Sequence, residues 1–255
     1  MKIVVCVKQV PDTAAKVAVD NGKVGWGDAP LVINPWDEYA VEAALQMKES
    51  QGGTVTAVTI GGPSTADALK HALAMGCDDA ILINDPALEV LDTQSAARVL
   101  AAAVKKIDAA DLVYFGKEAV DGNSGLVASQ TARLLGFASM TLASIVKFEN
   151  GTLRVERATE EGRQVVTSKP PAVLSIAKDY GEPRYPSFMG IRKASKAVIP
   201  TWTLSDLGIS APVAVVSTLE ILNPPSREVN CEIFSGTPSE AAEKLVEKIL
   251  GEKVL

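Results

Sequence analysis

Lys2-Ile3-Val4-Val5-Cys6-Val7-Lys8 is apolar through its middle and closed at both ends by lysine. An unbroken run of this kind reads as a strand buried on both faces, the habit of a parallel sheet covered by helices. The pattern returns at 54–60, 80–83 and 111–115. Between these runs lie helical patterns near 35–51, 64–76 and 93–108, and another follows at about 124–135. Strand, helix and strand in alternation imply right-handed βαβ crossovers. The expected fold is therefore α/β, an open parallel sheet with helices on both faces. The connection from 9 to 33 is longer than such units need and carries Pro11, Gly22, Gly25 and Gly27; it reads as a long loop.

After Phe137 the pattern changes. Residues 144–148 and 152–157 flank Asn150-Gly151, a strong signal for a β-hairpin with a type I′ turn. A further strand is expected at 163–167, and 172–176 reads as a return to the buried sheet. The stretch Glu182-Pro183-Arg184-Tyr185-Pro186-Ser187-Phe188-Met189-Gly190-Ile191-Arg192-Lys193 reads as a loop displaying aromatic and basic side chains. Thr237-Pro238-Ser239-Glu240 is a capping box that opens a last helix, and Ala241, Leu245 and Ile249 form its apolar stripe up to Gly251. The expected division is an α/β domain over 1–199 and a proline-containing C-terminal arm over 200–255 whose helix packs on a partner subunit.

Composition removes several classes. At 255 residues and 47% hydrophobic the chain can build a full core without staples. Its net charge of −6 disfavours nucleic acid as a partner. No apolar run approaches the roughly 18 residues of a membrane span, and the first residues form a strand, not a signal peptide. Cys6, Cys77 and Cys231 are scattered, which suits a reducing, cytoplasmic setting. His71 is the single histidine, so a His-based triad or multi-His metal site is not expected; it reads as a surface or interface residue.

Ligands of open parallel sheets bind outside the carboxyl ends of the strands. Three segments meet that description: Cys6 to Gln9, the Ile60-Gly61-Gly62-Pro63-Ser64-Thr65 turn, and Gly116 to Val127. The last contains Asp121-Gly122-Asn123-Ser124-Gly125-Leu126-Val127, whose small residues allow close backbone approach just before a helix start, a place that attracts phosphate. Ser124 offers a hydroxyl, and Asp121 is expected to order the loop or to meet a ribose hydroxyl. Asn34-Pro35-Trp36-Asp37 reads as a helix start, with Asn34 as the cap. Neither G-x-G-x-x-G after the first strand nor G-x-x-x-x-G-K-[ST] is present. No nucleophile, base and orienting group can be assembled.

Five segments in order carry a family resemblance: residues 5–13 (Val-Cys-Val-Lys-Gln-Val-Pro-Asp-Thr), 34–42 (Asn-Pro-Trp-Asp-Glu-Tyr-Ala-Val-Glu), 72–76 (Ala-Leu-Ala-Met-Gly), 116–127, and Pro183 to Ser187 with Gly190-Ile191. Over nearly its whole length the chain resembles the beta subunit of electron transfer flavoproteins. The resemblance implies a fold of the adenine-nucleotide-binding type and a heterodimer with an alpha subunit that holds FAD. It implies an adenine nucleotide in this subunit: AMP in one branch, a second FAD in the flavin-bifurcating branch. By position the contacts are Cys6, Asn34, Gly61, Gly116, Asp121, Gly122, Asn123, Ser124, Gly125, Leu126 and Val127. The segment 182–197 is similar to the family's docking loop for dehydrogenases, with Arg184, Tyr185, Phe188 and Met189 as contacts and Phe188 where leucine is common. Where the AMP branch has Asn-Gln-Thr, this chain has Gly125-Leu126-Val127. It stands nearer the bifurcating pattern Asp-Gly-Asp-Thr-Ala-Gln-Val, with Asn123, Ser124 and Leu126 as departures, so a second FAD is the expectation.

Such a subunit is an electron carrier with no side-chain catalysis of its own, because the flavin supplies the redox chemistry. A nucleotide-sensing module of the universal-stress type shares the sheet but lacks the docking loop and arm. An adenylating enzyme would want a Ser-Gly-Gly-type loop where Lys8-Gln9-Val10-Pro11 stands.

Overall fold

The structure is a computed structural model that describes residues 1–107, 109–223, 225 and 231–252. It falls into two compact units, 1–220 and 221–255.

In the first unit β1 (Lys2–Cys6) is followed by β2 (Gln9–Pro11), β3 (Ala18–Asp20), β4 (Lys23–Gly25) and β5 (Leu31–Ile33). Next come α1 (Pro35–Gln51), β6 (Thr54–Ile60), α2 (Ala66–Met75), β7 (Asp79–Ile83), α3 (Thr93–Ile107), β8 (Leu112–Gly116) and α4 (Val127–Leu135). Then β9 (Ala138–Glu149), β10 (Thr152–Thr159), β11 (Gly162–Ser168) and β12 (Ala172–Ile176) lead to α5 (Phe188–Ala194), β13 (Thr201–Trp202) and the single turn α6 (Leu204–Leu207). The second unit carries α7 (Pro238–Gly251).

One sheet organises the first unit, in the order β11-β10-β9-β12-β8-β1-β6-β7-β13. β1 lies inside it, between β8 and β6 and parallel to both. Its side chains divide by alternation: Ile3 and Val5 face a layer built with α1 and α2, while Val4 and Cys6 face a layer built with α3 and α4. Both faces are covered, which is why the run at 2–8 lacks the polar alternation of a half-exposed strand.

Several expectations need correction. The sheet is mixed, not parallel throughout: β10 runs antiparallel to both β9 and β11. The hairpin is no appendage, because β9 begins at Ala138 and pairs in parallel with β12 before it turns. Asn150 and Gly151 both have positive φ, as the type I′ turn requires. The connection at 9–33 is structured: β2 pairs with β5, and the β3–β4 hairpin lies between them. The helix expected from 64 opens instead with a 3₁₀ turn at Pro63–Thr65. The helix expected from 124 starts at Val127, because Asn123 and Gly125 are left-handed at φ 47° and 61°. The third helix is described to Ile107, and residue 108 of the expected span lies outside the described residues.

The boundary expected at 199/200 falls within the first unit, since Thr201–Trp202 extends the sheet against β7 and Leu204 of α6 is buried. The remainder of the expected arm includes 224, 226–230 and 253–255, which lie outside the described residues. The capping box of α7 is present, with Thr237 and Glu240 bonded reciprocally. Among the described residues no helix is long and apolar enough to cross a membrane.

Candidate functional site

The strand order reverses direction at β1, with β6 on one side and β8 on the other; sheets of this kind take their ligands at such a point, along the carboxyl edge. The residues around it are tied together by long-range bonds. The Asp37 carboxylate accepts from the Lys8 backbone N–H at 2.7 Å and from the Gly116 N–H at 3.2 Å, joining the chain beyond β1 to the end of β8. The Asn34 amide donates to the Glu118 carbonyl at 2.8 Å and accepts from the Val120 N–H at 3.2 Å. Lys8 Nζ reaches Asp121 at 2.6 Å, the Gln9 amide donates to the Ser64 carbonyl at 3.1 Å, and Lys117 lies over the Trp36 ring at 5.1 Å from its centre.

Asn34 therefore corrects its sequence reading. It stands at the cap position of α1, yet its side chain makes no cap bond and instead pins the 116–127 loop. Asp37, which sequence reasoning treated only as part of a helix start, is the second pin. Gly116 is buried where these parts meet: a Cβ there would collide with the Asp37 carboxylate and the Trp36 backbone.

The helix ends on these segments share a further property. α1 starts without a side-chain cap bond, as do the Pro63–Thr65 turn before α2 and α4, whose cap position is Leu126. At α3, α5 and α6 caps are made: Asp92 accepts from the Ser95 N–H at the start of α3, Ser187 caps α5, and Thr203 caps α6; the 3₁₀ turn at Lys178–Tyr180, like that at Pro63–Thr65, has none. The first N–H groups of a helix have no intrahelical acceptor and carry the positive end of its dipole. Three such ends, uncapped by the chain, lie on the segments that these bonds tie together.

The remaining expected site residues fall as follows. Gly122 has open space where a side chain would stand, and a Cβ at Gly125 would only touch the Lys117 carbonyl at 3.7 Å; both residues are exposed, so their backbone is approachable from outside. Asn123, Ser124 and Leu126 are exposed on the same loop, and Val127 begins α4. Asp121 orders the loop through Lys8, a pair exposed enough to contribute at most about 1 kcal/mol. Gly61 lies at the turn after β6, and Thr65 fills the space beside it. Cys6 is buried on the α3 side of the sheet; burial, reinforced by the nearby Asp37 charge, raises its thiol above the ordinary range. His71 is half-buried and lies 2.8 Å from the Glu38 carboxylate, away from these bonds.

Burial pushes the Asp37 carboxyl up to about 7, against the lowering effect of its hydrogen bonds from Asn34, Lys8 and Gly116. An acid raised in the folded state holds a proton that the unfolded chain releases. Its contribution to stability is full below about pH 4 and is lost as pH rises towards 7. Melting curves at pH 5.5 and 7.5 should show a loss of stability with rising pH that shrinks in Asp37→Asn. An equal loss in both proteins would contradict this.

At the far end of α1, Arg184, Tyr185, Phe188 and Met189 lie close together in sequence but in different surroundings. Tyr185, Phe188 and Met189 are 94%, 80% and 70% exposed. Arg184 is turned inward onto Glu42 and Glu49 of α1. The segment is also not wholly a loop, since Ser187 caps the short helix α5.

A doubly wound α/β protein with its strand-order switch point at β1, and a short helix displaying apolar side chains on the surface, is the class these features define. The electron transfer flavoprotein domain profile matches residues 27–207. The chain is 38% identical to the electron transfer flavoprotein subunit beta of Bacillus subtilis over 257 residues, covering 99% of this chain and 98% of that protein. It is 35% identical to the caffeyl-CoA reductase-Etf complex subunit CarD of Acetobacterium woodii, covering 98% of each. It is 31% identical to the acryloyl-CoA reductase electron transfer subunit gamma of Anaerotignum propionicum, covering the whole of both. The chain belongs to the electron transfer flavoprotein family, among its beta subunits, and works in electron transfer as one subunit of a flavoprotein.

Proposed function

We propose that this chain pairs with a larger, FAD-bearing alpha subunit and itself holds an adenine nucleotide, a second FAD in preference to AMP, in the crevice at the carboxyl edge. The observation that carries this reading is the set of three uncapped helix ends around that crevice. Phosphate oxygens supply the acceptors that the chain withholds there. Gly125, Leu126 and Val127 bring no polar side chain, so binding falls to backbone N–H groups, and Gly122 and Gly125 leave that backbone open. A pyrophosphate can engage more than one helix end, whereas a single phosphate uses fewer of these donors. Asn34 and Asp37 fix the loop, and Asp121 and Ser124 lie on it for the sugar or phosphate. A flavin held there would supply the two-electron redox chemistry, and these residues would position it and exclude side reactions.

Electrons enter from dehydrogenases that dock at 182–197, with Phe188 as the apolar anchor. The relatives named for caffeyl-CoA reductase and acryloyl-CoA reductase make oxidoreductases of CoA thioesters the first partners to try. Pairing with the alpha subunit is supported by exposed apolar side chains at Val213, Val215, Val216 and Leu219 in the first unit, and at Leu245, Val246 and Leu250 on α7. Expressed alone, the chain should be poorly soluble; co-expressed with an alpha subunit of the family, it should elute as a heterodimer. A monodisperse monomer that ignores the alpha subunit would refute the pairing.

A further inference from the structure

The exposed apolar helix α5 does not hang from a flexible loop. The Arg184 guanidinium donates from Nε to Glu42 at 2.7 Å and from Nη2 to the other Glu42 oxygen at 3.1 Å. Its Nη1 and Nη2 donate to the two oxygens of Glu49 at 2.6 and 3.1 Å. The Arg184 backbone N–H adds a bond to Glu42 at 3.1 Å. All three guanidinium nitrogens are thus engaged within the chain. Glu42 is buried, accepts a further bond from Gln46, and Gln46 in turn accepts from the Tyr180 hydroxyl. On the other side of the segment, Gly190 lets α5 lie directly on α2: a Cβ there would collide with the Ala74 carbonyl. Ser187 closes the start of the helix at 3.0 Å from the Gly190 N–H.

We infer that Arg184 is a positioning residue for docking: it clamps the 182–187 segment to α1 so that Phe188 and Met189 are presented in a fixed place, and it does not itself meet the dehydrogenase. This rests on the docking role proposed above. The physical reason is pre-organisation. A surface already ordered loses less freedom on binding, so the same contacts yield tighter association. Two carboxylates held bidentately by one planar group fix orientation in a way that a lysine point charge does not.

The test is a double-mutant cycle on the co-expressed heterodimer, with reduction by a CoA-thioester oxidoreductase as the assay and hydrogen exchange of the 184–195 amides as a partner-free readout. Arg184→Lys and Glu49→Gln should each raise KM for the heterodimer about tenfold with kcat nearly unchanged, and should speed exchange across α5. Added to Phe188→Ala, Arg184→Lys should cost less than about twofold more, since residues that act as one unit are not additive. Effects that multiply in full, with exchange unchanged, would show Arg184 touching the dehydrogenase directly and overturn the inference. If Phe188→Ala alone changes nothing, the docking role fails and the inference falls with it. If Arg184→Lys does not assemble, Glu49→Gln carries the same test from a half-exposed side chain on α1.

Discussion

Gly116→Val is expected to empty the nucleotide crevice and to destabilise the chain by about 3 kcal/mol, the upper end of what overpacking a close-packed site costs. Gly116 ends β8 with its N–H on the Asp37 carboxylate, and the Trp36 backbone occupies the space a side chain would need. Neither obstacle can swing aside: one is a helix start, the other a carboxylate held by Lys8 and Gly116 at once. Relief requires β8 and α1 to separate, which carries the 116–127 loop away from Asn34. For a chain of this size the midpoint should fall by roughly 2–4 °C per kcal/mol. Purified heterodimer bearing the variant should lose the nucleotide of this subunit while keeping the flavin of the alpha subunit. Full retention of both would show that the close approach at Gly116 has no bearing on the site.

Phe188→Ala is expected to lower kcat/KM for reduction by the dehydrogenase about 30-fold, equivalent to the roughly 2 kcal/mol of a central interface anchor. Phe188 is largely exposed at the start of α5 with Met189 beside it, and Arg192 and Lys193 supply a charged rim. Truncating an exposed ring leaves no cavity, so the melting temperature and flavin content should hold. Wild-type transfer rates, or loss of flavin, would each remove Phe188 from the docking surface.

What the sequence revealed follows the physics of each element. The central strands were legible because burial on both faces leaves an unbroken apolar run, and 54–60 and 172–176 appear with the expected limits. The Asn150-Gly151 turn was legible because two successive positive φ values suit few residues. By contrast, β13 is two residues long and its pairing is decided by β7, far away in the chain. The helix α5 was hidden by Pro183, Pro186 and Gly190, which look like loop residues. Gly190 is needed for contact with α2, not for a turn, and the Ser187 cap was the overlooked local signal.

The segments of the candidate site were legible as loops, and the side chains that tie them together were hidden. Asn34 and Asp37 look like ordinary helix-start residues, and their actual partners lie 79 to 86 residues away for Gly116, Glu118 and Val120. No local pattern encodes such bonds. The absence of a cap at α1 was equally hidden, because Asn34 is a capping type whose side chain is used otherwise, whereas Leu126 before α4 offers no capping group.

The most direct measurement of the central claim is the nucleotide content of the purified heterodimer, released by denaturation and quantified by chromatography. About two FAD per heterodimer with negligible AMP is the expected result, one from the alpha subunit and one from the crevice of this chain. About one FAD with about one AMP would contradict the second flavin and leave this subunit as scaffold and docking surface. One FAD with no second nucleotide would contradict the reading of the three uncapped helix ends altogether.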